Sequence, residues 1–149
     1  MSDDRVDGRL HDVFENRVRF AETDAQCVVF YGNYVTYQDE TFNAFLREIG
    51  YSYTDLDAAG WDVHVVHVDL DYRAPAAFED ELVNGMRVTA INESSIELAY
   101  RCRRKGDAAT LAEGHVVHVA VDTDGRTTRV PDAFREAVVA FQDTPPEPV

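Results

Sequence analysis

Asp24 stands three residues before Cys27 and seven before Tyr31, inside the stretch FAETDAQCVVFYGNYVTYQDETFNAFLREI that runs from Phe20 to Ile49. The stretch reads as the end of a strand, a tight polar turn holding one carboxylate, and then a helix of several turns. A carboxylate opposite the start of a long helix brings a base and an electropositive helix end onto one carbonyl. Such a pair suits attack on an acyl group, with the acid as nucleophile or as general base on water. The same acid also suits a plain turn or cap, a common place for aspartate after a strand. Cys27 adds a thiol, but no histidine or lysine lies near it in sequence to lower its pKa. It therefore reads as a small turn residue ahead of a nucleophile.

The elements that must hold this centre are visible in the periodicity. Phe14, Val18 and Phe20 alternate with Glu15, Arg17 and Arg19, which predicts a half-buried strand from Phe14. A helix follows from Gly32 or Asn33, with Asn33 as N-cap and Gly50 as its stop. Tyr34, Tyr37, Thr41, Phe42, Phe45, Leu46 and Ile49 share one broad arc, so about half of its circumference is buried. Gln38 falls inside that arc, either as a hydrogen-bonded core amide or as a group reaching the reaction site. Asp39 and Glu40 lie at the edge of the arc and outside it, where a solvated role is expected. Residues 51–62 read as a loop with a short helical turn. Strand patterns then recur over Val63–Tyr72, Leu82–Ile91, Ile96–Arg104 and Leu111–Asp122, separated by turn-forming residues. Such short links require mainly antiparallel pairing. A last short helix is expected over Ala133–Phe141. The chain thus divides into a flexible arm (1–13), one α+β domain (14–141) and a disordered tail (142–149).

Composition bounds the partners. Asp and Glu total 28 against 14 basic residues, for a net charge of −14, and Lys105 is the single lysine. Nucleic acid is excluded as a partner, because phosphate binding needs the opposite field. Acid excess with near-absence of lysine suits molar internal salt, where a Debye length of about 3 Å screens surface carboxylates from one another. No apolar run approaches the roughly 20 residues that span a bilayer, and the acidic N-terminus is no secretory signal, so a cytoplasmic, membrane-free protein is expected. Cys27 and Cys102 form no metal spacing. His64 and His67, like His115 and His118, are expected on opposite strand faces and read as packed or interface histidines, with His64 or His67 available to line a pocket. No metal site is predicted. Arg101, Arg103, Arg104 and Lys105 form the densest basic cluster, either a solvated strand end or a grip on phosphates.

Three motifs resemble the hotdog-fold acyl-CoA thioesterases of the 4-hydroxybenzoyl-CoA thioesterase type. The first is the aspartate, small residue, apolar pair and aromatic helix opening, here Asp24, Cys27, Val28, Val29, Phe30, Tyr31, Gly32, Asn33 and Tyr34. The second is a strand ending in aromatic-x-x-Pro and a following acidic pair, here Tyr72 to Pro75 and then Glu79 and Asp80. The third is LAEGHVVHVAVD followed by a proline. Together they span roughly residues 14 to 140 in the expected order. Cys27 departs from the usual glycine; a positive φ there would strain it by about 1–3 kcal/mol.

The resemblance implies a curved antiparallel sheet of about five strands wrapped around one long central helix. It implies hydrolysis of a coenzyme A thioester without a cofactor, with Asp24 catalytic and the Tyr31 backbone N–H as oxyanion donor. Cys27, Val28, Phe30, Gly32, Asn33, Tyr34, His64 and His67 would line the substrate site, and Arg101, Arg103, Arg104 and Lys105 would meet the coenzyme A phosphates. A homodimer with the acyl site at its interface, doubled into a tetramer, is expected. Two other readings are a non-catalytic acyl-CoA-binding module, kept open by Cys27, and an enoyl-CoA hydratase-like hotdog. The second resembles its relatives less, since Val29 stands where they carry a histidine.

Overall fold

A computed structural model describes residues 9–149 of the chain. In order along it come β1 (His11–Arg17), a single 3-10 turn (Phe20–Glu22), α1 (Asn33–Glu48), α2 (Tyr53–Ala58), β2 (Trp61–Tyr72), β3 (Glu81–Ile91), β4 (Ser95–Arg104), β5 (Thr110–Asp122) and α3 (Asp132–Phe141). The five strands form one sheet in the order β1-β3-β4-β5-β2, antiparallel at every step. The sheet folds round α1, as the hotdog resemblance implies. No described helix is long and apolar enough to cross a membrane.

α1 buries the expected arc. Tyr34, Tyr37, Thr41, Phe42, Phe45 and Leu46 are all buried, while Thr36, Glu40 and Arg47 face out. Phe45 and Leu46, fully enclosed, contribute about 1.5–3 kcal/mol each by burial alone. The sheet's inner face answers with Leu82, Met86, Val88, Ile96, Leu98, Tyr100 and Cys102, and burial pushes the Cys102 thiol up to about 12. Gly50 ends the helix at φ 76°, where Tyr51 N–H reaches Leu46 O at 3.0 Å and Gly50 N–H reaches Arg47 O at 3.1 Å. That double closure satisfies carbonyls that the last turn leaves open.

Four expectations change. The first strand starts at His11 rather than Phe14, because a register shift between Asp12 and Phe14 breaks the alternation that marks a strand. Residues 1–8 of the predicted arm lie outside the described residues. The predicted tail 142–149 lies along β3 beyond the end of β1: the Gln142 side chain accepts from Val88 N–H and donates to Val88 O, and Glu147 N–H donates to Thr89 O. Asn33 is not the N-cap but the first helical residue, and its side chain donates to the Glu22 carbonyl at 2.8 Å. Finally, His64 and His67 share the outer face of the sheet. β2 carries an extra residue, Val66, between the pairs Val65–His118 and His67–Val117, which restores the phase that simple alternation had lost.

Candidate active site

The turn that holds Asp24 is built by backbone closure. Thr23 and Val29 form an antiparallel bridge; Asp24 N–H donates to Val28 O at 3.0 Å, and Cys27 N–H donates to Asp24 O at 2.9 Å. Cys27 adopts φ 64°, so this is a three-residue hairpin loop whose last residue is left-handed, a position that favours glycine. The usual glycine is thus replaced where its freedom is needed. Asp24 Oδ1 accepts from Gln26 N–H at 2.9 Å. Its Oδ2 meets no donor among the described residues, and the side chain lines a cavity of about 330 Å³. The carboxylate therefore does both things open to it: one oxygen fixes the turn and the other faces a cavity.

Glu22 ties this turn to the helix. Its carbonyl accepts from Phe30 N–H at 2.9 Å and from the Asn33 amide; its carboxylate accepts from the Tyr37 hydroxyl at 2.9 Å and from Arg19. Burial, and then the hydrogen bond to Glu22, raise the Tyr37 pKa well above its ordinary value. From the other side, Val29 N–H donates to Ala76 O at 2.9 Å, in a loop latched by Arg104, which binds Asp80, Asp107 and the Pro75 carbonyl. At the helix start, Asn33 N–H turns back to Phe30 O. The Tyr31 and Gly32 N–H groups meet no acceptor among the described residues. Gly32 lies against the Phe30 ring, where an added Cβ would come within 2.9 Å of it.

The cavity brings Asp24 together with Val28, Tyr31 and Tyr34, all expected there, and with Tyr72 and Arg73, which were not. Burial raises the pKa of both Tyr34 and Tyr72, keeping their hydroxyls protonated. Both of the added residues stand in the aromatic-x-x-Pro motif that the sequence displays, so the signal for them was present. Cys27 is exposed and lines a second cavity with Phe20 and Phe78, on the far side of the Asp24 turn. Phe30 packs its ring on that of Tyr31 at 4.6 Å.

Other predicted residues lie elsewhere. His64 lines a small cavity with Asp62 and Asp122 at the start of β2, and His67 pairs with Asp69 on the outer face. Each member of the basic cluster meets a carboxylate: Arg101 with buried Glu113, Arg103 with Asp12, Arg104 with Asp80 and Asp107, and Lys105 with Glu15. The cation that lines the Asp24 cavity is Arg73, braced by Glu113 at 3.3 Å.

A profile of the Thioesterase-like superfamily matches residues 18–138. A putative esterase of Aquifex aeolicus is 25% identical over 126 residues, covering 85% of this chain and 96% of the relative. A 1,4-dihydroxy-2-naphthoyl-CoA hydrolase of Synechococcus elongatus is 23% identical over 115 residues, covering 76% and 83% respectively. Among solved structures, a hypothetical protein from Thermus thermophilus superposes with a TM-score of 0.81 at 30% identity, covering 89% of this chain and 100% of that one.

Proposed function

The chain belongs to the Thioesterase-like superfamily and is an acyl-CoA thioesterase of hotdog fold, and on that premise we propose that Asp24 and the first turn of α1 carry its chemistry. The thioester carbonyl oxygen would lie at the Tyr31 and Gly32 N–H groups, where the helix end stabilises negative charge. Asp24 Oδ2 would face the carbonyl carbon. It either attacks directly, giving a mixed anhydride that water then opens, or draws a proton from the attacking water; in both routes the coenzyme A thiolate leaves. Arg73, in the same cavity, would meet the coenzyme A phosphates, since the four cations of the basic cluster already face carboxylates. The route calls for no cofactor.

Shared placement supports this most: a carboxylate oxygen without a partner and two helix-start N–H groups without acceptors border one cavity. We also take a second copy of the chain as the partner of β2, an edge strand whose Val65, Val66 and Val68 are exposed, because pairing two such edges removes both. Doubling of that dimer and adaptation to molar salt complete the reading.

Thiol release from a panel of acyl-CoAs, in molar potassium chloride, tests it. Asp24→Asn keeps an oxygen for the Gln26 N–H, so the turn persists while the base or nucleophile is lost. Its rate is expected to fall by about 10²–10⁴-fold with the oligomer unchanged. Equal rates for wild type and Asp24→Asn remove the assignment.

A further inference from the structure

α1 packs chiefly on β1 and β3, and a groove separates it from β2. The two elements run in opposite directions along that groove. Tyr31 and Tyr72 meet across the end that holds Asp24. Further along, Gln38 and Phe42 of α1 stand opposite Val68 and Val65 of β2, around a cavity of about 360 Å³. Val116 and His118 of β5 close it from the sheet side, and Asp39 stands at its mouth. A group bonded to a carbonyl at the helix start would extend into this space, since four residues of helix span only about 6 Å.

Two polar side chains interrupt the apolar walls. Gln38 is 2% exposed and His118 is 3% exposed. Gln38 Nε2 and His118 Nδ1 are fully enclosed without a hydrogen-bond partner, and neither side chain makes any hydrogen bond among the described residues. Native interiors rarely leave such groups unmatched, because a lone buried donor or acceptor is costly. Of the two readings open for Gln38, the hydrogen-bonded core amide is thus not what the fold contains. His118 stacks on Phe42, with ring centroids 4.1 Å apart and planes 18° from parallel, so its orientation is fixed. Burial holds its pKa down to about 4, which leaves the ring neutral, with one nitrogen to donate and one to accept.

We infer that Gln38 and His118 form the subsite that reads the acyl group, and that they select a compact acyl group bearing a neutral hydroxyl. This rests on the hydrolytic reading above and adds the substrate's chemistry to it. A hydroxyl both donates and accepts, and so matches an amide and a neutral imidazole together. An unsubstituted acyl group leaves both polar groups unmatched, as the empty cavity does. A carboxylate-bearing acyl group finds no cation in the cavity and meets Asp39 at its mouth.

Rates of thiol release test this with benzoyl-CoA, the three monohydroxybenzoyl-CoA isomers and succinyl-CoA, for wild type, Gln38→Leu and His118→Phe. The wild type is expected to favour its best hydroxylated substrate over benzoyl-CoA by roughly tenfold or more in kcat/KM, with succinyl-CoA below both. In each variant that ratio should fall towards one. Because the ratio compares two substrates on one preparation, partial unfolding cancels from it. A wild-type ratio near one, or a ratio that survives in both variants, overturns the inference while leaving the thioesterase reading intact. Absence of release from every thioester overturns that reading and this one with it.

Discussion

The Tyr72 hydroxyl donates to the Tyr31 carbonyl oxygen at 3.0 Å, joining the last residue of β2 to the residue whose N–H begins the helix-start pair. The two rings also meet edge to face, 6.3 Å apart. The peptide units that would hold an oxyanion are therefore pinned from the strand as well as from the helix.

Tyr72→Phe keeps the ring contact and removes that bond. A hydrogen bond of this kind is worth about 0.5–1.5 kcal/mol net, so kcat is expected to fall by roughly tenfold at most if donor placement limits the reaction. KM should change much less. Steady-state kinetics on one good substrate reads both, and an unchanged kcat would show that the tether does not position the donors.

Cys27→Gly relieves a left-handed φ of 64° at an exposed position. The gain is expected near 1 kcal/mol, or about 2–4 °C in Tm for a chain of this size. Thermal melts of the two proteins in the same salt measure it. Retention of thiol release in the glycine variant sets the thiol aside as nucleophile, whereas loss of turnover with a raised Tm would bring it back.

Arg73→Gln removes the cation of the Asp24 cavity while Glu113 keeps Arg101. Charge-assisted hydrogen bonds are worth about 1.5–3 kcal/mol, so KM for an acyl-CoA is expected to rise by roughly tenfold or more. The matching acyl-pantetheine thioester, which lacks the nucleotide, should show no such rise. A rise of the same size for both would place Arg73 on another part of the substrate.

His118 ties stability to acidity. Its folded pKa of about 4 lies below the ordinary value of 6.5, through burial. The unfolded chain therefore binds the extra proton first. The contribution is complete above pH 6.5, declines as the pH falls towards 4, and is gone below that. The window spans about 3 kcal/mol at most. Tm should drop on acidification, and His118→Phe should drop less over the same range. Parallel curves would mean that the ring is protonated in the native state.

Much of this was legible because it is local. The spacing of Tyr34, Tyr37, Phe42, Phe45 and Leu46 fixes the buried arc of α1, and β2 to β5 begin within two residues of where alternation places them. Asp24 stood out through its motif rather than through periodicity. What escaped depends on contacts remote in sequence. Arg103 meets Asp12 and Lys105 meets Glu15 across the sheet, so a basic cluster in the sequence becomes four separate ion pairs in space. The proline-rich end reads as disordered, yet Gln142 finds the backbone of Val88. A solitary extra residue, invisible to a period of two, turned His64 to the face opposite the one expected.

That extra residue, Val66, has a further meaning for the lineage of such a protein. It lets Val65 and Val68, three positions apart, stand on one wall of the groove. Losing one codon there would rotate the first half of the strand, swing Val65 outward and bring His64 in beside Gln38. Half of the wall facing the bound group is thus set by reading phase, and a one-residue deletion could exchange an apolar lining for an ionisable one without altering any other side chain.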